Sequence, residues 1–430
     1  MKKDKTIAQV VARDLCHGCG TCVSLCPLAA IALTRDDRRG IYIPQIDFTI
    51  CNQCSICLQV CPGHSVDFDQ LNKYAFSEKS GDSILGVHIN CYSGYSADKK
   101  LRYNGASGGM VTTLLLSALE DRLIDGALVT RMNENNPLEP EPFIARTREE
   151  IISAAKSKYC PVPANIALRE ILDKEGKYAV VGLPCHIHGI RKSEQVNKAL
   201  AARIVLHIGI FCGYTYSFLA TDYLLSQQGI HQEDVKAIDY RGEGWPGGAS
   251  VHLHNGRKMF IPTFELYKTL ELSFTPWRCL LCCDGAAELA DVSCGDAWLP
   301  EFSDDKAGIS VIISRTPRAE AMLKQVAEGG LSELQGIGAS MVAQSQPWFL
   351  SKKTRINLFF RLAGIMRKGI PGYKTNLSKT GLAGFAGAAM LAAGSFIASK
   401  RYLWRFIPIL HRLSRKMSSI PKMKYTTIFV

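Results

Sequence analysis

The stretch Cys16-His-Gly-Cys19-Gly-Thr-Cys22-Val-Ser-Leu-Cys26-Pro27 decides how this chain is read, because Cys51-Asn-Gln-Cys54-Ser-Ile-Cys57-Leu-Gln-Val-Cys61-Pro62 repeats its spacing. Eight of the 16 cysteines therefore fall in two equivalent runs. The polar opening Met1-Lys2-Lys3-Asp4-Lys5 carries no apolar leader, so reduced thiols are expected. Reduced cysteines at tight, regular spacing are metal ligands rather than bridges.

The duplicated spacing resembles that of bacterial dicluster ferredoxins, where three neighbouring thiolates bind three irons of one [4Fe-4S] cube and the fourth crosses to the other cube. Cys16, Cys19, Cys22 and Cys61 are then expected to hold one cluster, and Cys51, Cys54, Cys57 and Cys26 the second. Gly18 and Gly20 suit a backbone that curls tightly around an inorganic core whose sulfurs accept N–H bonds. Paired C-x-x-C also binds zinc, but a zinc site needs only four ligands. Two equivalent four-membered runs, each closed by Cys-Pro, favour iron–sulfur. Such a module passes single electrons and does not by itself choose a substrate.

Around it the chain runs to 430 residues, enough for two or three compact units. With 47% hydrophobic and 21% charged residues, neither bulk disorder nor a polytopic membrane protein fits. The net charge of +12 is uneven: from Ser351 onward there are 16 Lys and Arg and no Asp or Glu, leaving 35 basic against 39 acidic residues before it. A near-neutral body with a cationic end points to docking on an anionic surface, lipid or protein, rather than to nucleic acid. Gly381 to Ser399 is uncharged, between Lys379 and Lys400-Arg401, but dominated by Gly and Ala. One helix of its 19 residues spans only about 28 Å. An in-plane or partner-docked helix is expected, followed by a headgroup-like segment from Tyr402 to Leu410; a helical pair packed on the body is the alternative.

Between the two ends the pattern is α/β. Asp67 to Ser83 is polar and reads as a boundary. Gly105-Ala-Ser-Gly-Gly109 precedes an apolar helical run from Met110 to Leu119, and Ile124 to Thr130 reads as a buried strand. Tyr178 to Gly182 and Ile204 to Phe211 are strands ending at Cys185 and Cys212, where open α/β sheets place their sites. With Cys279 and Cys282 these form a candidate third cube drawn from separate segments, while Cys283 and Cys294 are doubtful members. His186 and His188 flank Cys185 as proton relays or as hydrogen-bonded core residues.

Taken as a set, the Ala106-Ser-Gly-Gly109 turn with Thr112, Ser157-Lys158-Tyr159, Gly182-Leu-Pro-Cys-His186, Phe211-Cys212, Cys279-x-x-Cys282 and Ala290-Asp-Val-Ser-Cys-Gly-Asp296 resemble the beta-subunit family of coenzyme F420 hydrogenases and dehydrogenases, which includes 7-hydroxymethyl chlorophyll a reductase. The likeness runs from about Val87 to Arg315. It implies an α+β, α/β architecture: a two-[4Fe-4S] ferredoxin-like domain over 1–75, an FAD and [4Fe-4S] domain over 80–350, and a basic amphipathic tail over 351–430. It also implies FAD next to a third [4Fe-4S] cluster on Cys185, Cys212, Cys279 and Cys282, with Ser107, Gly108, Gly109, Thr112, Lys158 and Tyr159 as flavin contacts. The catalytic residues stay unassigned.

The activity implied is a cytoplasmic oxidoreductase, peripheral at the inner membrane face, that moves electrons between reduced coenzyme F420 and ferredoxin or a larger redox complex. A ferredoxin-dependent flavin reductase of an organic substrate and a non-catalytic electron-transfer subunit are the alternatives. Three cubes predict about twelve irons per anaerobically isolated chain. Iron analysis giving about eight would mean the body cysteines are inert.

Overall fold

The computed structural model describes residues 5–78, 81–270, 273–374 and 385–417. Lys379 and the run 381–384 of the expected tail helix lie outside the described residues, as does 418–430. The amino-terminal module carries the hairpin β1 (Ile31–Asp36) and β2 (Ile41–Ile46), paired from Ile31↔Ile46 to Asp36↔Ile41. Its two cysteine runs fold alike: Thr21–Ser24 and Ile56–Gln59 are single helical turns, each entered through a left-handed residue, Gly20 (φ 86°) and Ser55 (φ 68°). At Gly20 a Cβ would also stand 2.5 Å from Cγ2 of Ile166, so only glycine lets the module approach the body there.

The body is built on one mixed sheet with β3 (Ser65–Asp67) lying apart in the module. Its strands are β4 (Asn90–Ser96), β5 (Gly126–Met132), β6 (Pro140–Ala145), β7 (Tyr178–Gly182) and β8 (Ile204–Ile210), with a separate three-stranded sheet of β9 (Val235–Asp239), β10 (Gly248–Leu253) and β11 (Lys258–Pro262) inserted before β12 (Val292–Asp296), β13 (Ser310–Ser314) and β14 (Ser332–Ile337). The eight-stranded order is β14-β4-β13-β12-β8-β7-β5-β6. Its centre, β5-β7-β8-β12, is parallel, with Val180↔His207 and Val292↔Ile208 in register, and its edges are antiparallel. Apolar residues line both faces of the central strands, as a doubly covered sheet requires. Leu114, Leu115 and Leu323 from the helices Met110–Glu120 and Pro317–Glu328 cover one face with Leu206 and Ile208, while Ile187 and Ile190 of Pro184–Val196 cover the other with Leu128 and Val180.

Two sequence expectations change here. The polar stretch after Asp67 contains the helix Phe68–Phe76, capped by the Asp67 carboxylate on the Gln70 N–H at 3.1 Å. Phe68 and Leu71, at i and i+3, bury into one core with Leu25, Val60 and Ile187, so module and body share an apolar interior rather than meeting across a linker. The basic end does not stand off either. The helix Pro347–Ile365 buries Phe349, Ile356 and Phe359, and β15 (Gly372–Lys374) pairs in parallel with β3. The small residues of Phe385–Ala398 let it lie close on the protein, with Ala388 and Ala398 buried, Leu391 against the cysteine-rich core and the Ser395 hydroxyl donating to the Thr275 carbonyl at 3.0 Å. Arg401 pairs with Asp222 at 2.5 Å. Among the described residues no helix is long and apolar enough to cross a membrane.

Beneath β8 lies a closed ring of buried charge. His207 bonds Glu194 at 2.5 Å and Asp291 at 3.0 Å, and Arg191 bonds the same two carboxylates at 3.3 and 2.9 Å. Burial and Arg191 push the His207 imidazolium down, but the two carboxylates outweigh them and its pKa ends above the usual value. Its contribution to stability is therefore complete below about pH 6.5 and is lost as pH rises through the folded-state value. Asp291→Asn, which strips one partner from two buried cations, should cost about 3–5 kcal/mol in urea unfolding at pH 6, with a smaller loss in alkali once His207 is neutral.

Candidate functional site

The two cysteine runs wrap two neighbouring cavities of the module. One is lined by Cys16, Cys19, Cys22 and Cys61 with Ile7, Leu33 and Pro44; the other by Cys26, Cys51, Cys54 and Cys57 with Pro27, Leu28 and Ile31. Each run thus sends its fourth cysteine across to the other cavity. Backbone N–H groups point at sulfur, from Gly18 to Cys16 at 3.4 Å and from Ala30 to Cys26 at 3.3 Å. Among the described residues no three His, Cys, Asp or Glu side chains converge on one ion position. The sulfurs are spread around a wall, which fits a multi-atom core, whereas zinc draws four sulfurs to about 2.3 Å from one point. In the first cavity burial and then neighbouring thiols push Cys16 up to about 12 and Cys61 to about 11. Only a strongly positive core would hold four such groups as thiolates.

Cys185, Cys212 and the Cys279–Cys282 pair come from three segments and meet in the body. Cys185 lies in the first turn of Pro184–Val196, Cys212 just past β8 with its N–H on the Gly285 carbonyl at 2.8 Å, Cys279 in the turn Trp277–Leu280 and Cys282 just after it. The Cys185 thiol is raised by burial and then by Cys212, Cys19, Cys279 and Cys282, so this set lies beside the first cavity, through Cys19. The first cavity in turn adjoins the second, since Cys57 is among the charged neighbours of Cys22. At the far end of this series Cys54 is exposed. Cys283 packs into the shared apolar core and Cys294, on β12, faces the opposite core, its thiol raised to about 12 by burial.

Buried cations surround these thiols. Arg278 donates to the Pro62 carbonyl at 3.0 Å, next to Cys61, and to the Tyr373 hydroxyl at 2.8 Å, tying body to module and to β15. Lys192 donates to the carbonyls of Cys61 and Ser65 at 2.8 and 2.6 Å. The two histidines next to Cys185 are satisfied in the interior: His186 receives the Leu183 N–H on Nδ1 and donates from Nε2 to the Val162 carbonyl, its pKa lowered by burial to about 4. His188 bonds Asp284 at 2.8 Å.

The expected flavin contacts gather beyond the carboxyl ends of β8 and β12, though several have their polar groups engaged. Ser107 Oγ donates to the Ile309 carbonyl at 2.9 Å, and the Gly108 N–H donates to Ser310 Oγ at 3.0 Å, which locks the turn against β13. Lys158 spends its ammonium on the carbonyls of Ala154, Ala155 and Lys156, and burial lowers it to about 7. Tyr159 shares a 2.7 Å hydrogen bond with Tyr267. Gly109, at φ 78°, opens Met110–Glu120 with no side-chain cap, so the first-turn amides around Thr112 lack that partner.

The sequence did not single out the group facing this turn. Arg241 is fully buried and donates to both oxygens of Asp296 (3.0 and 3.3 Å), to Tyr159 at 3.1 Å and to the Ala106 carbonyl. Trp245 Nε1 also donates to Asp296 at 2.7 Å, and its ring lies 4.7 Å from that of Trp298. Only the Gly-rich run from Gly242 to Gly248 hinted at this loop, and it carries no period that would connect Arg241 with Asp296.

Comparison with known proteins follows the same division. Residues 15–65 match the 4Fe-4S dicluster domain, 91–169 the amino-terminal and 175–339 the carboxy-terminal part of the coenzyme F420 hydrogenase/dehydrogenase beta subunit. The coenzyme F420 hydrogenase subunit beta of Methanothermobacter thermautotrophicus is 31% identical over 265 residues, 59% of this chain and 86% of that protein. The coenzyme F420-dependent sulfite reductase of Methanocaldococcus jannaschii is 29% identical over 338 residues, 74% of this chain but 47% of that protein. In fold, a chain of the F420-reducing [NiFe] hydrogenase complex from Methanosarcina barkeri superposes with a TM-score of 0.53 at 23% identity, covering 68% of this chain and 98% of that one. With an amino-terminal 4Fe-4S dicluster module joined to an α/β body of this type, the chain belongs to the coenzyme F420 hydrogenase/dehydrogenase beta-subunit family.

Proposed function

We propose that this chain moves electrons between reduced coenzyme F420, at an FAD on the body, and one-electron acceptors at its surface, through three [4Fe-4S] clusters. The cluster ligands are Cys185, Cys212, Cys279 and Cys282 in the body, then Cys16, Cys19, Cys22 and Cys61, then Cys26, Cys51, Cys54 and Cys57. The observation that carries this is their serial order: Cys19 adjoins Cys185 at the inner end, and Cys54 is exposed at the outer end. Bound FAD supplies the exchange between a hydride pair and single electrons.

The residues divide the work. The uncapped amides from Gly109 to Thr112 receive pyrophosphate oxygens. Asp296, held by Arg241 and Trp245, would present a fixed carboxylate beside the glycine turn, with the Trp245 and Trp298 rings packed on each other next to it. Tyr159 accepts from Arg241 and helps position it, and Lys158 ties down the end of Arg148–Ser153. Cys54, with Leu28 and Ile50 exposed in the same module, presents the outer end to ferredoxin or to a larger redox complex. Phe396, Tyr402 and Ile409 remain 60, 72 and 51% exposed beside Lys400 and Arg405, an apolar and cationic face for a partner or for the inner surface of the membrane.

The decisive experiment is an anaerobic absorbance titration of the purified chain. Reduced F420 should bleach the flavin band and then the broad iron–sulfur shoulder. A flavin that ignores F420 but bleaches with reduced ferredoxin would point instead to a reductase of an organic substrate, and a shoulder without releasable flavin to a non-catalytic electron carrier. Gly109→Ala, which forces a methyl into the left-handed region, should cost about 1–2 kcal/mol and lower the flavin retained per chain without changing its iron content.

A further inference from the structure

The first basic residues of the carboxy-terminal segment take opposite roles. Lys353 pairs with Glu288 at 2.8 Å. Its neighbour Lys352 is 4% exposed and has no carboxylate partner among the described residues. Its ammonium donates to the Asp284 carbonyl at 3.2 Å, lies 5.0 Å from the Tyr214 ring centroid, and has Cys282, Cys212 and Cys279 as its charged neighbours. Arg278, also 4% exposed, spends its donors on the Pro62, Leu281 and Tyr373 oxygens, with Cys282 and Cys279 nearby. A buried ammonium without an anion is disfavoured by several kcal/mol, so these cations need negative charge at the thiols.

We infer that Lys352 is a positioning residue that sets the reduction potential of the body cluster by holding a fixed positive charge beside three of its four ligands. This rests on the proposed third cluster. Four thiolates on a [4Fe-4S]2+ core carry a net charge of −2, and one added electron makes it −3; Lys352 and Arg278 together offset the first value and favour the second. Lys352 lies on the helix Pro347–Ile365, beyond residues 175–339, the carboxy-terminal part matched to the family. Arg278 is unsuited to a test because it also joins module to body.

The experiment is a potentiometric titration of the full-length, iron-replete protein, followed by electron paramagnetic resonance. Lys352→Met should make one of three [4Fe-4S] signals harder to reduce, lowering the reduced-to-oxidised ratio at fixed potential at least tenfold, equivalent to 59 mV for one electron, while the other two signals stay within twofold. Lys352→Arg should stay within threefold of the parent. Where Lys352→Met loses the cluster, Lys352→Gln, which keeps a donor for the Asp284 carbonyl, is read in its place. A ratio within twofold of the parent at about twelve irons per chain overturns the inference and leaves the three-cluster reading standing. About eight irons in the parent overturns both.

Discussion

A thiolate cannot be held in an apolar interior without a positive charge beside it, and most of this architecture follows from that constraint. Burial is the first cause that raises Cys16, Cys61, Cys185 and Cys279, and neighbouring thiols raise them further. In the amino-terminal module a 4Fe-4S core supplies part of the compensation, and the proposed body cluster would do the same. The protein supplies the rest as Arg278, Lys192 and Lys352, each drawn from a different segment and each fastened by backbone carbonyls rather than carboxylates. A carboxylate in those places would cancel the charge that the thiols require.

The same requirement explains why module, body and extension are interlocked. Electron transfer between neighbouring centres tolerates little separation, so the proposed body cluster would require the amino-terminal module to sit on the body at a fixed distance. Gly20 against Ile166 allows the approach, Arg278 bonds across the junction, and Leu25, Val60 and Phe68 join the body's core. The extension then closes the assembly: Pro347–Ile365 brings Lys352 to the body thiols, and β15 adds to the module's β3.

What could be read in advance follows sequence separation. The two Cys-rich runs are local, and their spacing alone matches the crossed arrangement around two cavities. Strands ending in Cys185 and Cys212 were legible from apolar runs and a turn, because parallel strands of a covered sheet are short and hydrophobic. Arg241 and Asp296 were not, since 55 residues separate them and nothing local marks either as half of a pair. The extension was misjudged for a different reason. Composition counts Lys352 and Lys353 with the surface cations, yet burial and pairing are properties of where the helix lands. Likewise the alanines of Phe385–Ala398 read as weak membrane affinity, but their small size serves close packing equally well.

The topology also bears on why the body thiols and the Asp296 group lie on the same side of the sheet. Cys185, Cys212 and Asp296 follow or end β7, β8 and β12, three adjacent parallel strands, so their carboxyl ends open toward one edge. The glycine turn before Met110–Glu120 reaches that edge because Gly108 packs against Gly94 and Ser310, where a Cβ would stand 2.6 to 2.7 Å from backbone atoms. Segments that leave strand ends are anchored by the ladder behind them, whereas Cys279 and Cys282 sit on a single turn braced by the Arg278 bond to the Leu281 carbonyl. Cys185 and Cys212 are therefore placed by segments that leave the sheet directly, and Cys279 and Cys282 by a turn that a cation braces, which makes that turn the part of the site most sensitive to loss of the surrounding charge.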